Sequence, residues 1–336
     1  MGGGKMEQNK LSYSQALQSP CQGCQASCCT YLPLHDFQIT KLSELDYALY
    51  VSNFDRIELS LINGSKWRVH YRMECRFFET ESRKCSLHES GDKPNVCKRY
   101  NPYNCFYKQM FQSPETDHFI RFNRARLEVF ASMLGFDEHR NIASLPSVDE
   151  LRAALPAWEE PSNLPPPPDD GIYDRAFLPL AAEEEAPSFR ASDFSSPCSG
   201  CSAWCCTVLC FPHGGPKNLS DMDHLRFCLG FPGVEVGIGE AGWSVNVRTR
   251  CRHLVSDGDG PGRCGIFGQP ERPQMCNLYD ETMCAYSHHF GQPRTSRYLR
   301  LRLRHFKALE ELVSYDSGGY VVQVPSIPQI RQAVEG

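Results

Sequence analysis

The stretch Cys21-Gln22-Gly23-Cys24-Gln25-Ala26-Ser27-Cys28-Cys29 places four thiols within nine residues. Its spacing, C-x2-C-x3-C-C, returns later in the chain as Cys198-Ser199-Gly200-Cys201-Ser202-Ala203-Trp204-Cys205-Cys206. A hydrophobic core selects side chains by shape, whereas closely spaced thiols gather sulfur around a metal. The two stretches therefore predict a metal–thiolate protein in which one kind of site is built twice.

The similarity between the two halves extends well beyond these stretches. Pro20–Thr30 aligns with Pro197–Thr207, and Leu145–Val148 aligns with Val324–Ile327 near the end of the chain. Internal similarity over this length indicates a duplicated structural unit. The predicted organisation is a flexible N-terminus (1–19), a first cysteine-cluster domain (20–155), a linker rich in proline and glutamate (156–196) and a second cysteine-cluster domain (197–336).

Sixteen of the eighteen cysteines have a partner at the matched position of the other half. Four thiolates complete a structural zinc site or hold a cubane iron–sulfur cluster, so eight per half predict two four-cysteine centres or one polynuclear centre. Because adjacent side chains tend to point apart, we expect that Cys28 and Cys29 do not bind one mononuclear ion. The sixteen candidate metal ligands are Cys21, Cys24, Cys28, Cys29, Cys75, Cys85, Cys97, Cys105, Cys198, Cys201, Cys205, Cys206, Cys251, Cys264, Cys276 and Cys284.

The two cysteines outside this set, Cys210 and Cys228, are expected to be small buried side chains, as free cysteines often are. No histidine is repeated at the cluster, because His88 aligns with Phe267 and His253 aligns with Phe77. The sites are therefore predicted to be all sulfur, which selects zinc, Cu(I) or iron–sulfur clusters.

Basic residues near the cysteines would offset thiolate charge and lower thiol pKa values. Ordinary surface charge is an equally good interpretation, since exposed lysines and arginines need no special reason. These residues are Arg76, Arg83, Lys84, Lys98, Arg99, Arg248, Arg250, Arg252, Arg263 and Arg272.

The composition indicates which cellular compartment and which classes of partner to expect. The 336 residues carry a formal net charge of −5, so a surface that coats nucleic acid is not expected. No run of eighteen apolar residues and no apolar segment near the N-terminus is present, so we expect neither a membrane span nor a signal peptide. A cytoplasmic location follows as a prediction, and there dense cysteines are more often metal ligands than a disulfide scaffold.

Local patterns predict an α+β fold. Leu42–Tyr50 has the pattern of a short helix with Ser43 as its N-cap. Asn63-Gly64 lies between the alternating runs Arg56–Ile62 and Lys66–Tyr71, which is the strongest short hairpin signal. Copy two offers a similar hairpin from Val234–Ile238 and Trp243–Val247.

Apolar residues recur at helical spacing late in each half, from Phe119 to Leu134 and from Tyr298 to Val313. Leu299–Arg304 alternates like a strand, but its aligned partner does not, so we predict a helix there too. Short helices are predicted at Val148–Ala154 and Ile327–Val334. Arginines of these late segments are expected on a solvated helix face: Arg121, Arg124, Arg126, Arg297, Arg300, Arg302 and Arg304. The whole pattern predicts two similar small metal-stapled lobes, each with a cysteine-rich opening, a β-hairpin and C-terminal helices.

These motifs resemble the YkgJ-type cysteine-cluster family, a CxxCxxCC zinc- or iron-chelating domain. The resemblance rests on the opening Cys21–Cys29, then Cys75, Cys85-Ser86-Leu87-His88, the basic-Pro element Lys93-Pro94 before Cys97, and Cys105. The second copy carries Cys198–Cys206, Cys251, Cys264-Gly265-Ile266-Phe267, Arg272-Pro273 before Cys276, and Cys284. Three residues rather than two precede each Cys-Cys pair, a form similar to that of flagellin lysine methylases, for which an iron–sulfur centre is implied.

Two functions follow as hypotheses. The first is a metal-binding protein whose zinc or iron–sulfur centres hold the fold or present a partner surface. The alternative is an iron–sulfur-dependent redox or group-transfer enzyme similar to the flagellin lysine methylases. The cysteine spacing leans slightly towards a 4Fe-4S or related cluster, while no phosphate-binding loop, nucleophile elbow or dinucleotide fingerprint indicates independent catalysis. Metal ions are the predicted partners.

Overall fold

The computed structural model describes residues 26–88, 90–99, 115–116, 119–160, 204–239, 242–255, 263–277 and 298–335. Within these ranges the protein is a mixed α+β fold of small antiparallel sheets and several helices, which confirms the predicted class. The predicted N-terminus (1–19), most of the predicted linker and six candidate ligands lie outside the described residues. Those six are Cys21, Cys24, Cys105, Cys198, Cys201 and Cys284.

A five-stranded antiparallel sheet organises the first half of the chain. Its central strand Ile57–Ile62 is buried along its whole length, including the polar residues Glu58 and Ser60 of its alternating sequence. The strands are β1 (Tyr31–Phe37), β2 (Ile57–Ile62), β3 (Lys66–Arg72), β6 (Glu115–Thr116) and β7 (Phe119–Phe122), in the spatial order β1-β3-β2-β7-β6.

A four-stranded antiparallel sheet organises the second half. It consists of β10 (Val208–Pro212), β11 (Val234–Gly239), β12 (Gly242–Arg248) and β15 (Tyr298–Leu301). Their spatial order is β10-β12-β11-β15, which is the order of the first four strands of the other sheet.

The predicted hairpins are present. Asn63 and Gly64 have φ values of 50° and 73°, and the strands pair from Ile62 and Lys66 outwards. Successive positive φ values suit Asn-Gly because glycine has no Cβ and asparagine tolerates the left-handed region. In the second half, Gly239 pairs with Gly242 at the end of the matching hairpin.

Short two-stranded ribbons and helices complete the described structure. The ribbons pair β4 (Phe78–Glu79) with β5 (Lys84–Cys85), β8 (Gly135–Phe136) with β9 (Ile142–Ser144), β13 (Leu254–Val255) with β14 (Arg263–Cys264), and β16 (Ser314–Tyr315) with β17 (Val321–Gln323). The helices are α1 (Ser27–Thr30), α2 (Leu42–Val51), α3 (Asn95–Arg99), α4 (Arg124–Ser132), α5 (Val148–Ala154), α6 (Leu219–Leu229), α7 (Gln274–Asn277), α8 (Leu303–Leu312) and α9 (Ile327–Glu335). None of these described helices is long and apolar enough to cross a lipid bilayer.

The start of α2 differs from the prediction. Its N-cap position is Lys41, and Ser43 lies inside the first turn, so the predicted Ser43 cap is wrong. The Glu44 carboxylate instead accepts hydrogen bonds from the Thr40 backbone N–H and hydroxyl, at 2.7 and 2.8 Å. A side chain in the first turn therefore fixes the chain entering the helix, which a cap-residue rule does not detect.

The late helices begin later than predicted. Residues 119–122 and 298–301 are strands, each followed by a helix that starts after one connecting residue. β7 pairs with β2, placing Ile120 opposite Leu61, and β15 pairs with β11, placing Leu299 opposite Ile238. The continuous-helix prediction was wrong because backbone pairing to a buried central strand overrides the helical spacing of the apolar residues.

Each sheet buries an ion pair that joins two adjacent strands. Arg121 donates to Glu58 at 2.7 Å, and Arg300 donates to Glu235 at 2.6 Å. Both carboxylates are almost fully buried, with Glu58 at 4% and Glu235 at 2% exposure. The prediction of a solvated arginine face is therefore wrong at Arg121 and Arg300, and at the fully buried Arg126.

Most buried apolar residues of both sheets belong to one contiguous cluster, while Ile62 and Phe119 of the first sheet form a separate pair. Backbone and side-chain bonds cross between the halves: the Tyr71 hydroxyl donates to the Pro232 carbonyl at 3.2 Å, and the Arg76 N–H donates to the Gly230 carbonyl at 2.9 Å. The domain boundaries stay predictions, but the two halves share a core.

Candidate metal centre

Five cysteines from the first half converge on one cavity. The pairing of β1 with β3 brings α1 beside the segment after the hairpin, where the Cys75 N–H donates to the Cys29 carbonyl at 2.7 Å. The ribbon of β4 and β5 and the short helix α3 supply the other sulfurs. The five are Cys28, Cys29, Cys75, Cys85 and Cys97, which together line the cavity. We call them the first centre.

The second half repeats this arrangement. The Cys251 N–H donates to the Cys206 carbonyl at 2.7 Å. This hydrogen bond is equivalent to the one from the Cys75 N–H to the Cys29 carbonyl. The Cys206 thiol contacts the sulfurs of Cys205 and Cys251. The described cysteines of this second centre are Cys205, Cys206, Cys251, Cys264 and Cys276, and like those of the first centre they form no disulfide.

The vicinal pair departs from the expectation that neighbouring thiols point apart. The Cys28 and Cys29 sulfurs lie 4.0 Å from each other. Two sulfurs bound to one tetrahedral zinc at about 2.3 Å are about 3.8 Å apart. This pair therefore suits a single ion as well as a cluster, and the prediction against a shared ion stays a prediction.

Backbone N–H groups stabilise four of the thiolates. In the first centre, the N–H of Phe77 donates to the Cys75 sulfur and the N–H of Leu87 donates to the Cys85 sulfur. The second centre repeats both bonds, from the N–H of His253 to Cys251 and from the N–H of Ile266 to Cys264. Each donor lies two residues after its cysteine, and such bonds favour the charged sulfur that a metal requires.

Burial acts in the opposite direction. It raises the pKa of Cys75 to about 12 and raises the pKa of Cys97 still more, and it raises the pKa of Cys276 to about 12. The Cys29 pKa is lowered, first by the hydrogen bond with Cys28 and, against burial, by the Lys93 ammonium. Buried thiols of this kind ionise when a bound cation offsets the desolvation cost.

Lys93 is the local cation that the sequence did not single out for charge. Its side chain is 4% exposed, and its ammonium lowers the pKa of Cys29, Cys85 and Cys97 against the effect of burial. Arg272, at the matched position, has the same effect on Cys264 and Cys276. The repeated basic-Pro element was the available signal, because it places one cation at the same point in both halves.

Two matched aspartates tie each centre to the opposite half. Asp223 of α6 accepts from the Val96 N–H, beside Cys97, at 3.1 Å. Asp46 of α2 accepts from the N–H groups of Gln274 and Met275, beside Cys276, at 2.7 and 2.8 Å. Neither aspartate was predicted as a site residue, because its role depends on which helix the other half places against it.

The remaining candidates are located as follows. The His88 Nδ1 lies 2.9 Å from the Lys93 ammonium, and neither His88 nor His253 lines the cavity at the first centre. Cys228 is 1% exposed, as predicted, whereas Cys210 is half-buried on β10.

The donor set fits a soft metal. No three His, Cys, Asp or Glu side chains are preassembled as a metal site, within the ranges that the structure describes. Three of the eight predicted ligands in each half lie outside those ranges. The described sulfurs nevertheless combine convergence, N–H donors and a nearby cation, which are the features expected of a thiolate metal site.

Comparison with known proteins supports metal binding in the first half. No curated protein and no solved structure matched the chain. One family model matched, that of CxxCxxCC, whose description is "Putative zinc- or iron-chelating domain". The match covers residues 20–118, which contain the first centre together with Cys21, Cys24 and Cys105.

Proposed function

We propose that this protein binds metal at two cysteine centres, one in each half. The observation that carries the proposal is the convergence of five cysteines on one cavity, with backbone N–H groups donating to two of the sulfurs. The ligands of the first centre are drawn from Cys21, Cys24, Cys28, Cys29, Cys75, Cys85, Cys97 and Cys105, and those of the second from Cys198, Cys201, Cys205, Cys206, Cys251, Cys264, Cys276 and Cys284.

The duplication of the centre is part of the proposal. It is supported by the common strand order of the two sheets and by the equivalent bonds from Cys75 to Cys29 and from Cys251 to Cys206. The metal is zinc or an iron–sulfur cluster. Zinc would cross-link segments that share few apolar contacts, whereas a cluster would also exchange electrons.

In either case the chain's own groups act on the sulfurs. Lys93 and Arg272 offset thiolate charge, and the N–H donors orient Cys75, Cys85, Cys251 and Cys264. Asp46 and Asp223 hold the short helices that carry Cys276 and Cys97.

A second candidate is an iron–sulfur-dependent redox or group-transfer enzyme. The observation that favours it is the cavity beside the first centre, with a volume of about 370 Å³. Structural metal sites have every coordination position filled by protein ligands, whereas a catalytic site keeps one position open to substrate or solvent.

The test is metal and acid-labile sulfide analysis of protein purified without oxygen, combined with an absorption spectrum. Cys75→Ser and Cys251→Ser should each lower metal content, by removing a ligand from one centre. Cys228→Ser is the matched control, because this buried cysteine lies outside both centres. Wild-type protein that carries no metal, or a Cys228→Ser loss as large as that of Cys75→Ser, would reject the proposal. Iron with sulfide favours the enzyme, and colourless zinc protein favours the structural function.

A further inference from the structure

The cavity beside the first centre is built from both halves. The cysteines form one wall, and helices α6 and α8 of the second half form the facing wall. Its apolar lining includes Phe77, Phe227, Leu303 and Phe306. A volume of about 370 Å³ falls within the range of small-molecule sites.

Gly230 lies directly beside a sulfur atom that lines the cavity. A Cβ at this position would lie 3.3 Å from the Cys75 Sγ and 3.0 Å from the Phe227 carbonyl oxygen. Glycine therefore allows the chain after α6 to lie close against the Cys75 sulfur, and both residues line the cavity. Gly230 also accepts the Arg76 N–H, which fixes its place beside the cysteine turn.

The second centre has larger side chains at the matched positions. Asn53 accepts the Arg252 N–H through its carbonyl at 2.8 Å, as Gly230 accepts that of Arg76, so the two residues hold equivalent positions. Arg124, the first residue of α4, donates to the Asn53 side chain at 3.1 Å and to the Leu49 carbonyl at 2.7 Å. Leu303, the first residue of α8, takes the place of Arg124 at the first centre. The second centre thus has an asparagine and an arginine where the first has a glycine and a leucine.

Charges around the cavity define the kind of ligand. Arg226 pairs with Asp223 at 2.6 Å and lies 3.8 Å from Glu310, and the carboxylate of Asp92 acts on the same arginine. Lys93 faces the sulfurs. Arg83 and Lys307 also line the cavity, are exposed, and pair with no carboxylate in the described part of the chain. They place two cations at the solvent end of an apolar chamber.

We propose that the first centre is the ligand-accessible one, and that its cavity binds a small apolar molecule bearing one anionic group. The apolar body lies against Phe227 and Phe306, and the anion lies near Arg83 and Lys307. The second centre has a structural role only. This inference rests on the proposed function for the metal that the sulfurs hold.

The test uses two fluorescent probes that differ in one sulfonate group, with full-length metal-loaded protein. 8-Anilinonaphthalene-1-sulfonate is anionic, and N-phenyl-1-naphthylamine is its neutral counterpart. We expect saturable binding of both, at about one per chain. Leu303→Arg, which installs the residue of the matched position, should weaken both probes about tenfold or more by filling the chamber. Gly230→Asn should do the same from the opposite wall.

Lys307→Glu separates the anion from the apolar body. It should weaken the sulfonate probe about fivefold and leave the neutral probe unchanged, as expected for one partly exposed charge pair. Leu145→Arg is the control, because Leu145 is an exposed leucine outside the cavity and its replacement should change neither affinity.

Two results would overturn the inference: no saturable binding to metal-loaded protein, or unchanged binding in both Leu303→Arg and Gly230→Asn. Equal loss of the two probes in Lys307→Glu would overturn the anionic assignment. Metal analysis of the same samples separates the two proposals. Metal-loaded protein without probe binding rejects only the cavity, whereas metal-free wild-type protein rejects the proposed function.

Discussion

The two cysteine centres are alike within their own half and different where the opposite half meets them. Cys75 and Cys251 each follow a hairpin, bond to the same carbonyl position and accept an N–H from two residues on. At the first centre, Gly230 follows the end of α6 and faces Cys75 from the opposite half. The matched residue at the second centre is Asn53, which follows the end of α2. This difference shows that backbone hydrogen bonds within each half position the sulfurs, whereas the opposite half determines which residues lie against them.

The two sheets differ in a similar way. In the first sheet, Arg121 pairs with Glu58 and also donates to the Tyr31 hydroxyl and to Glu160. Its guanidinium lies 4.0 Å from the ring centre of Trp158. Both glutamates also have a second arginine, with Arg72 at 3.5 Å from Glu58 and Arg302 at 3.4 Å from Glu235. The two matched ion pairs therefore have different neighbours, so mutations in one pair and in the other are expected to change stability by different amounts.

The largest expected effect is that of metal removal on the cysteine segments. Structural zinc contributes about 10 kcal/mol per site, and the elements that carry Cys85, Cys97, Cys264 and Cys276 are short strands and helices of two to five residues. A chelator should abolish hydrogen-exchange protection in residues 75–88 and 90–99 and in residues 251–255 and 263–277 alike, while β2 and β11 stay protected by the shared core. Loss at only one of these segments would break the equivalence of the centres.

The next effect concerns the buried ion pairs. Glu235→Gln removes the buried carboxylate that pairs with Arg300 and Arg302 and should lower the free energy of unfolding by about 3–5 kcal/mol. Glu58→Gln should cost less, because Arg121 keeps Glu160 at 3.4 Å. Urea denaturation measures both variants, and an equal or larger loss for Glu58→Gln would contradict the assigned difference.

A smaller effect is expected from the crossed aspartates. Asp223→Ala should weaken metal binding at the first centre, and Asp46→Ala at the second, each about tenfold or more, because groups that position ligands have effects of this size. Competition with a chelator in Cys251→Ser and Cys75→Ser backgrounds reports the first and second centre separately.

Asp221→Ala is the control for this pair, since its carboxylate bonds the Lys217 N–H at 2.8 Å and does not contact Val96. If both aspartate variants weakened both centres equally, the effect would be general destabilisation and not positioning.

The smallest effect is a difference in acid sensitivity between the sheets. Burial, with Arg68 and Arg121 nearby, lowers the pKa of His70 to about 3, and the Ser60 hydroxyl lies 2.8 Å from its Nε2. Since the unfolded histidine binds a proton at a higher pH, stability should fall as pH drops below about 6.5, by about 1 kcal/mol between about pH 7 and pH 5.5.

The matched residue in the other sheet is Asn246, which does not titrate and donates to the Tyr298 hydroxyl at 2.8 Å. His70→Asn should therefore flatten the acid limb of the unfolding free energy measured against pH. An unchanged slope in His70→Asn would show that other groups cause the acid sensitivity.

Local signals were reliable where the chain acts on its nearest neighbours. The Asn63-Gly64 hairpin and the helix Val148–Ala154 are present as predicted, because turn chemistry and a capping box from Ser147 to Glu150 operate within a few residues. The strand Tyr298–Leu301 was missed, although its alternation was visible, because its pairing partner β11 is distant in the chain.

Charge was the hardest property to predict. Arg121 and Arg300 follow the spacing of an exposed helix face in the sequence, yet both lie in strands against buried glutamates. The sequence contains both partners, but nothing in it says that Glu58 and Arg121, sixty-three residues apart, meet in one sheet. Burial of a charge is decided by such distant pairings.

The sequence by itself determined the thiol-rich composition, the eight matched cysteine positions in each half and the hairpins that precede Cys75 and Cys251, because these depend on residue type and short-range backbone preference. Only the tertiary structure decided that Asp46 and Asp223 accept hydrogen bonds from the short cysteine-bearing helices of the opposite half. It also decided that Gly230 and Asn53 hold equivalent positions beside the turns that follow Cys75 and Cys251. The reason is physical: these contacts join segments far apart in sequence, and their geometry exists only once both halves pack into one core.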